Sequence, residues 1–319
     1  MLELLSIGEV MAELRRDKDG AFAVGFAGDS FNTAVYAARQ IGQPGAVAYV
    51  TRIGTDPLSR DFLGIAAAEN LDCTGIGIDQ DRAIGIYAVS TDAAGERSFS
   101  YWRSSSAARM LFADEAGIAA LPQARITYIS GISLAILSPQ ARRRIMDQLA
   151  ARVAAGGHVA FDSNYRPALW EDADTARAVI GAMWDMATIA LPSIDDEMAL
   201  FGDATEQAVL DRFAAKNWHA CAIKRGVRGP VSPGADDGGD TDFPPAPKIV
   251  DTTAAGDSFN AGFLAALLSG APSAAALQAG HALAAKVVAH PGAIIPQKND
   301  GAGHSVKAAV TDAGFTGDN

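Results

Sequence analysis

The stretch Asp251-Thr-Thr-Ala-Ala-Gly-Asp-Ser-Phe259 gathers the groups from which anion chemistry is made. Small side chains and a glycine stand where the helical segment 260–268 should begin. A helix start carries unpaired N–H groups and the positive end of the peptide dipoles, so it is a seat for a phosphate or a developing anion. Gly256 lets a ligand approach the backbone. Asp257 sets a carboxylate beside that seat, where it could take the proton of an attacking hydroxyl. Asp251, six residues earlier, is a candidate neighbour of a metal ion. The plain alternative is an ordinary capped helix with an aspartate in its first turn, and spacing alone leaves both readings open.

The elements that must hold these groups alternate. Residues 2–7 read as a buried strand, 34–40 as a helix stopped by Gly42, Pro44 and Gly45, 47–50 as a strand and 56–70 as a helix. The rhythm resumes with strands at 126–129, 158–161, 188–191 and 221–223 and helices at 139–155, 172–184, 206–216, 258–268 and 273–289. Such alternation predicts an α/β fold with a mainly parallel sheet. Residues 84–90 and 97–103 interrupt it as a strand pair joined by the turn 92–96. Phe99, Tyr101 and Arg103 share one face of their strand. Tyr87 lies on the partner strand, with the register open. This pair could be a lid, a dimer surface or a plain edge hairpin. Strand 158–161 runs into Asp162-Ser-Asn-Tyr-Arg-Pro167, polar residues at the end where open α/β sheets place ligands. Residues 232–247 read as a surface excursion and the tail from 301 as a short or weakly ordered terminal element. No linker divides the chain, so 1–319 is expected to be a single catalytic unit, with a lid drawn from about 10–30 and 82–105.

A net charge of −11 and a pI near 4.9 argue against a non-specific grip on nucleic acid or an anionic membrane. Two cysteines, Cys73 and Cys221, make no disulfide scaffold. No signal peptide or membrane span is visible, and the cytoplasm is the expected compartment. A dinucleotide-binding GxGxxG after the first strand, a GxxxxGK[ST] phosphate loop, an HExxH pair and a His/Cys cluster are all missing from the sequence.

With Asp251-Thr-Thr-Ala-Ala-Gly-Asp-Ser-Phe259, Ala27-Gly-Asp-Ser-Phe-Asn32, Lys224-Arg-Gly-Val-Arg-Gly229 and Gly292-Ala293, the chain resembles the ribokinase-like, or PfkB, carbohydrate kinases. The resemblance implies a three-layer sandwich around the mainly parallel sheet, closed by a small β-strand lid. Within the family, Ile86-Tyr87, Tyr101-Trp-Arg103 and Asp162–Pro167 are most similar to the 2-keto-3-deoxygluconate kinases. The implied reaction is ATP-dependent phosphorylation of 2-dehydro-3-deoxy-D-gluconate at O6. The alternatives are a fructokinase or another sugar or sugar-acid kinase of the family, and a non-catalytic sugar- or nucleotide-binding regulator.

Residue by residue, the resemblance makes Asp257 the base and the amides of Ala254, Ala255, Gly256 and Asp257 the anion hole. Gly28, Asp29 and Asn32 would hold sugar hydroxyls. Tyr87, Tyr101, Arg103 and Arg166 would surround the sugar carboxylate, which suits the planar fork of arginine. Ser193, Lys224, Gly226, Gly229 and His281 would border ATP. Glu197 would act through water on Mg²⁺, and Asp251 would support a monovalent cation such as K⁺. The chain departs from the family pattern at Ala27 (usually Gly), Lys224 (often Thr), His281 and Ser193 (each often Asn). A homo-oligomer assembled through the lid is the expected assembly.

Overall fold

The structure is a computed structural model and describes residues 2–16, 22–91, 97–119, 121–233 and 243–297. The turn 92–96, most of the excursion 232–247 and the tail from 301 lie outside the described residues.

The chain opens with β1 (Leu2–Ile7), β2 (Met11–Arg16), β3 (Phe22–Ala27) and α1 (Asp29–Ile41). β4 (Val47–Val50), β5 (Arg52–Ile53), α2 (Pro57–Ala68) and β6 (Gly77–Ile78) follow. Next come β7 (Gly85–Thr91), β8 (Arg97–Trp102), α3 (Glu115–Ala119), β9 (Ala124–Ser130), α4 (Gly131–Ala135) and α5 (Pro139–Ala154). β10 (His158–Asp162), α6 (Ala173–Met186), β11 (Ile189–Ala190), α7 (Ile194–Phe201), α8 (Glu206–Ala214) and β12 (Ala220–Cys221) lead to α9 (Ala255–Leu268) and α10 (Ser273–Val287). Helix starts follow their caps. The side chains of Asp56, Ser138 and Asp172 accept first-turn amides of α2, α5 and α6, and Pro57 and Pro139 occupy first-turn positions that need no donor.

The main sheet has six parallel strands in the order β12-β11-β10-β9-β1-β4. Its side chains alternate with period two. Leu4, Val47, Tyr49, Ile126, Tyr128 and Ala160 face α1, α2, α9 and α10, whereas Leu5, Ala48, Val50, Ile129, Val159 and Phe161 face α5, α6, α7 and α8. The result is helix, sheet, helix: the expected three-layer α/β sandwich. α9 and α10 approach through glycines. A Cβ on Gly262 would stand 2.8 Å from the Ala279 carbonyl, and one on Gly280 would stand 2.8 Å from the Phe259 carbonyl. These Ala-rich helices are packing surfaces, and no helix among the described residues is long and apolar enough to cross a membrane.

A second sheet, β3-β2-β7-β8, covers the carboxyl end of the first. Tyr87 pairs with Tyr101 across β7 and β8, and their rings stack at 5.9 Å. Alternation gives this sheet two unlike faces. Met11, Tyr87, Phe99, Tyr101 and Arg103 point to the cleft below, and Phe22, Val24 and Trp102 point away.

Candidate active site

α1 begins at Asp29, five residues before the sequence-predicted 34. Gly28 caps it in an extended conformation, and a Cβ there would collide with the Glu9 carbonyl. The earlier start puts Asp29 in the first turn and Asn32 one turn on, both on the cleft. Asp29 Oδ1 accepts the Ser30 amide at 2.8 Å. Its Oδ2 accepts the Ser130 hydroxyl and, at 3.0 Å, Asn164 Nδ2. Asn32 Nδ2 donates to Asp257 Oδ2 at 2.8 Å, which ties the start of α1 to the start of α9.

α9 begins three residues earlier than predicted, at Ala255. Ala254 takes a left-handed conformation (φ 61°) at its N-cap. A non-glycine residue there costs about 1–2 kcal/mol, and the turn it makes aims the following amides outward. The Ala255 amide closes onto the Thr252 carbonyl at 3.2 Å. Of the four amides expected to form an anion hole, Ala254, Gly256 and Asp257 are thus left without a backbone partner among the described residues. Burial first, then the nearby Asp29 and Asp162, push the Asp257 carboxyl up to about 7 against the Asn32 bond and Lys224. Asp29 is raised too, first by burial, against the pull of its hydrogen bonds and Arg103. Burial resists the ionisation of both carboxyls, and Asp29 adds to that resistance at Asp257; carboxyls so raised in a cleft are candidates for proton transfer.

Gly28, Asp29, Asn32, Tyr87, Tyr101, Arg103, Arg166, Ser193, Lys224, Gly226 and the turn 252–257 line one cleft of about 630 Å³. Gly226, Lys224, Ala255 and Gly256 also line an adjoining apolar pocket of about 260 Å³, together with His281, Phe259, Ile249 and Val288. A polar cleft and an apolar pocket share the start of α9 as their common wall.

Over residues 1–300 the sequence matches the family described as pfkB family carbohydrate kinase. The chain belongs to that family. It is 40% identical to the 2-dehydro-3-deoxygluconokinase of Escherichia coli (strain K12), over 92% of this chain and 96% of that one. A fructokinase of Klebsiella pneumoniae is more distant, at 28% identity over 82% and 83% of the two chains. The crystal structure of a PfkB protein from Polaromonas sp. JS666 superposes with a TM-score of 0.76 at 29% identity, covering 90% of this chain and 96% of that one.

Several residues of this carbohydrate kinase sit otherwise than their sequence positions suggested. Glu197 is fully buried, outside the cleft lining, with its carboxylate taken by Trp184 Nε1 at 3.3 Å and Arg212 at 2.9 Å. Position 197 points back into the helical layer because α7 turns it away from the sheet end. Asp195 and Asp196 instead line the cleft. Mg²⁺ takes one or two carboxylates, water and substrate phosphates. That chemistry fits Asp195 and Asp196 on the cleft, whereas Glu197, expected to act through water, does not line it. Asp251 is buried and spends its carboxylate on the amides of Thr253 (3.0 Å) and Gly292 (2.6 Å), bracing the turn before α9. Gly229 does not line either chamber. Its φ of 75° makes a turn, and a Cβ would stand 2.5 Å from the Phe243 ring. His281 binds the Pro244 carbonyl at 2.7 Å.

The two arginines already have carboxylate partners. Arg103 pairs with Glu9, whose side chain is only 1% exposed, and Ser106 donates to the same carboxylate at 2.5 Å. Arg166 pairs with Asp196 at 3.1 Å. Tyr87 donates to Glu13 Oε1 at 2.7 Å from a buried position, while Tyr101 is exposed. Sequence reasoning placed the stretch Asp162–Pro167 at a ligand-binding sheet end but gave Asp162 and Asn164 no role of their own, and it did not single out Glu9, Glu13 or Asn260. Glu9 and Asp162 each follow or close a buried strand at its carboxyl end, and that was the available signal.

Proposed function

We propose that this kinase transfers the γ-phosphoryl group of ATP to O6 of 2-dehydro-3-deoxy-D-gluconate. The observation that carries the reading is Arg103 and Arg166 on the same cleft as Asp257. A guanidinium has five N–H donors, and Glu9 and Asp196 engage only part of each fork, so a sugar carboxylate has donors to meet. A neutral ketose has no use for that charge. The 40% identity to a 2-dehydro-3-deoxygluconokinase supports the same substrate.

In this reading Asp257 accepts the proton of the sugar hydroxyl as that oxygen bonds to phosphorus, and ADP leaves. The amides of Ala254, Gly256 and Asp257 stabilise the charge on the transferring oxygens. Asp29 and Asn32 orient the sugar, with Gly28 giving the backbone its approach and Tyr87 and Tyr101 walling the acid end. Ser193, Lys224, Gly226 and His281 border the nucleotide, with Gly229 shaping the turn behind them. Mg²⁺ beside Asp195 and Asp196 would neutralise phosphate charge. Asp251, whose carboxylate braces the Thr253 and Gly292 amides, would add buried negative charge beside a K⁺ site, and a rise in turnover on replacing Na⁺ by K⁺ would test it. ATP dependence makes the cytoplasm the compartment we assign.

We further assign 1–319 to one catalytic unit, with the β3-β2-β7-β8 sheet as its lid and the outer face of that sheet as the seat of a second copy. Phe22 and Val24 on one edge strand and Trp102 on the other lie exposed there, and large exposed apolar side chains on one face suit an interface.

The deciding experiment is coupled ADP release with Mg²⁺–ATP against 2-keto-3-deoxygluconate, its galactonate epimer, fructose, ribose and gluconate. Highest kcat/KM on the first supports the assignment. A preference for fructose would retain the kinase and overturn the carboxylate site.

A further inference from the structure

Among the described residues, Lys224 is the one cation that lines both chambers. Arg103 and Arg166 border only the cleft, and Arg225 only the apolar pocket. Lys224 Nζ lies 3.8 Å from the point a Cβ on Gly256 would occupy, so the ammonium rests against the first turn of α9. Two groups hold it there: the carboxylate of Asp162 at the end of β10, and Asn260 Oδ1 at 3.2 Å. Asn260 Nδ2 in turn donates to Asp162 Oδ2 at 2.6 Å and approaches the Tyr128 hydroxyl at 3.2 Å. Asp162 and Asn260 are buried. This is a built dock, unlike a solvated surface ion pair, whose geometry is loosely held.

A nucleotide with its base in the apolar pocket and its terminal phosphate at Asp257 must lay its phosphates across the shared wall. The charge that develops during transfer is spread over the oxygens of the moving phosphoryl group. An ammonium has three N–H donors, and the dock takes two of them. We propose that Lys224 is a catalytic residue that contacts the phosphoryl group in transit, and that Asp162 with Asn260 is the dock that positions it. The inference rests on the kinase reading above.

The dock also bears on the base. Asp257 is faced by Asp29, Asn32 and Tyr36 from α1, by Tyr128 from β9, by Asp162 from β10 and by Lys224 from the segment after β12. Asp162 raises its pKa and Lys224 lowers it. Removing the two charges should therefore move the acid limb of kcat/KM in opposite directions, up for K224M and down for D162N. A merely structural role would not produce opposite shifts.

The test compares wild type with K224M, K224R, D162N and the double variant K224M/D162N. K224M should lose about 100- to 1,000-fold in kcat, the scale for removing one donor to a developing charge, with the KM for sugar acid changed less than about threefold. K224R should recover part of the loss. The double variant removes the uncompensated buried carboxylate and should stay as slow as K224M. Calorimetry supplies an arm that needs no sugar. K224M should weaken a non-hydrolysable ATP analogue at least about tenfold more than adenosine, a difference of about 1.4 kcal/mol. A K224M kcat near wild type, recovery of kcat in the double variant, or equal losses for the analogue and adenosine would overturn the proposal. If the wild type phosphorylates none of the sugars, the substrate assignment fails while the calorimetric arm still decides Lys224.

Discussion

Asp257 answers to two opposed demands, ionisation for chemistry and neutrality for burial. Desolvation and its carboxylate neighbours hold its pKa at about 7. The free enzyme's kcat/KM should therefore rise with pH on a limb near 7, and D29N should shift that limb down by removing the like charge that raises it most. Full pH profiles of the two proteins check this. The same shift has a cost in stability. A carboxyl whose folded pKa exceeds its unfolded value adds stability at low pH and loses it as pH rises through the folded value. D257N should therefore raise Tm most above about pH 8, less at about pH 5, and little at or below the unfolded value of 3.8, while kcat falls about 1,000-fold or more. Differential scanning calorimetry at these pH values, beside steady-state assays, reads both effects. At the acid end of the sugar, R103A should raise KM for the sugar acid by about tenfold or more while KM for ATP stays within about twofold. Equal, minor effects on both would remove Arg103 from the carboxylate site.

At the scale of elements, the site depends on where two helices begin. Gly28 starts α1 at Asp29 because only a residue without Cβ can pass the Glu9 carbonyl. The obstruction is backbone and cannot rotate away. G28A should displace Glu9 and with it the Arg103 partnership, so Tm falls and KM for the sugar acid rises together. A G28A enzyme with wild-type KM would show that the α1 start does not set the sugar site. The helix read at 139–155, observed as Pro139–Ala154, and the other layer helices were legible from periodicity. The starts of α1 and α9 were not, because each is decided by a contact remote in sequence or by the left-handed turn at Ala254.

At the scale of the whole molecule, the β3-β2-β7-β8 sheet, the proposed lid, lines the cleft with one face and exposes Trp102 on the other. Self-association through that outer face follows from the assignment, with symmetric dimers the common form of such contacts. W102D should shift sedimentation toward the monomer, and an unchanged sedimentation coefficient would place the interface elsewhere. Because Tyr87 and Tyr101 stack within the same sheet, a dissociated variant with altered sugar KM would tie assembly to the roof of the cleft.

The sequence by itself determined the layered α/β order, the family through 251–259 and 27–32, and most residues of the cleft. Those signals are local: hydrophobic period, glycine and aspartate spacing, helix starts. Only the tertiary structure decided the partners. It paired Arg103 with Glu9, turned Glu197 into the core toward Arg212, gave Asp251 to the amides of Thr253 and Gly292, and docked Lys224 on Asp162. The physical reason is that pairing and burial depend on distance in space. Residues 162 and 224, far apart along the chain, meet because β10 and β12 both end at the carboxyl edge of one parallel sheet.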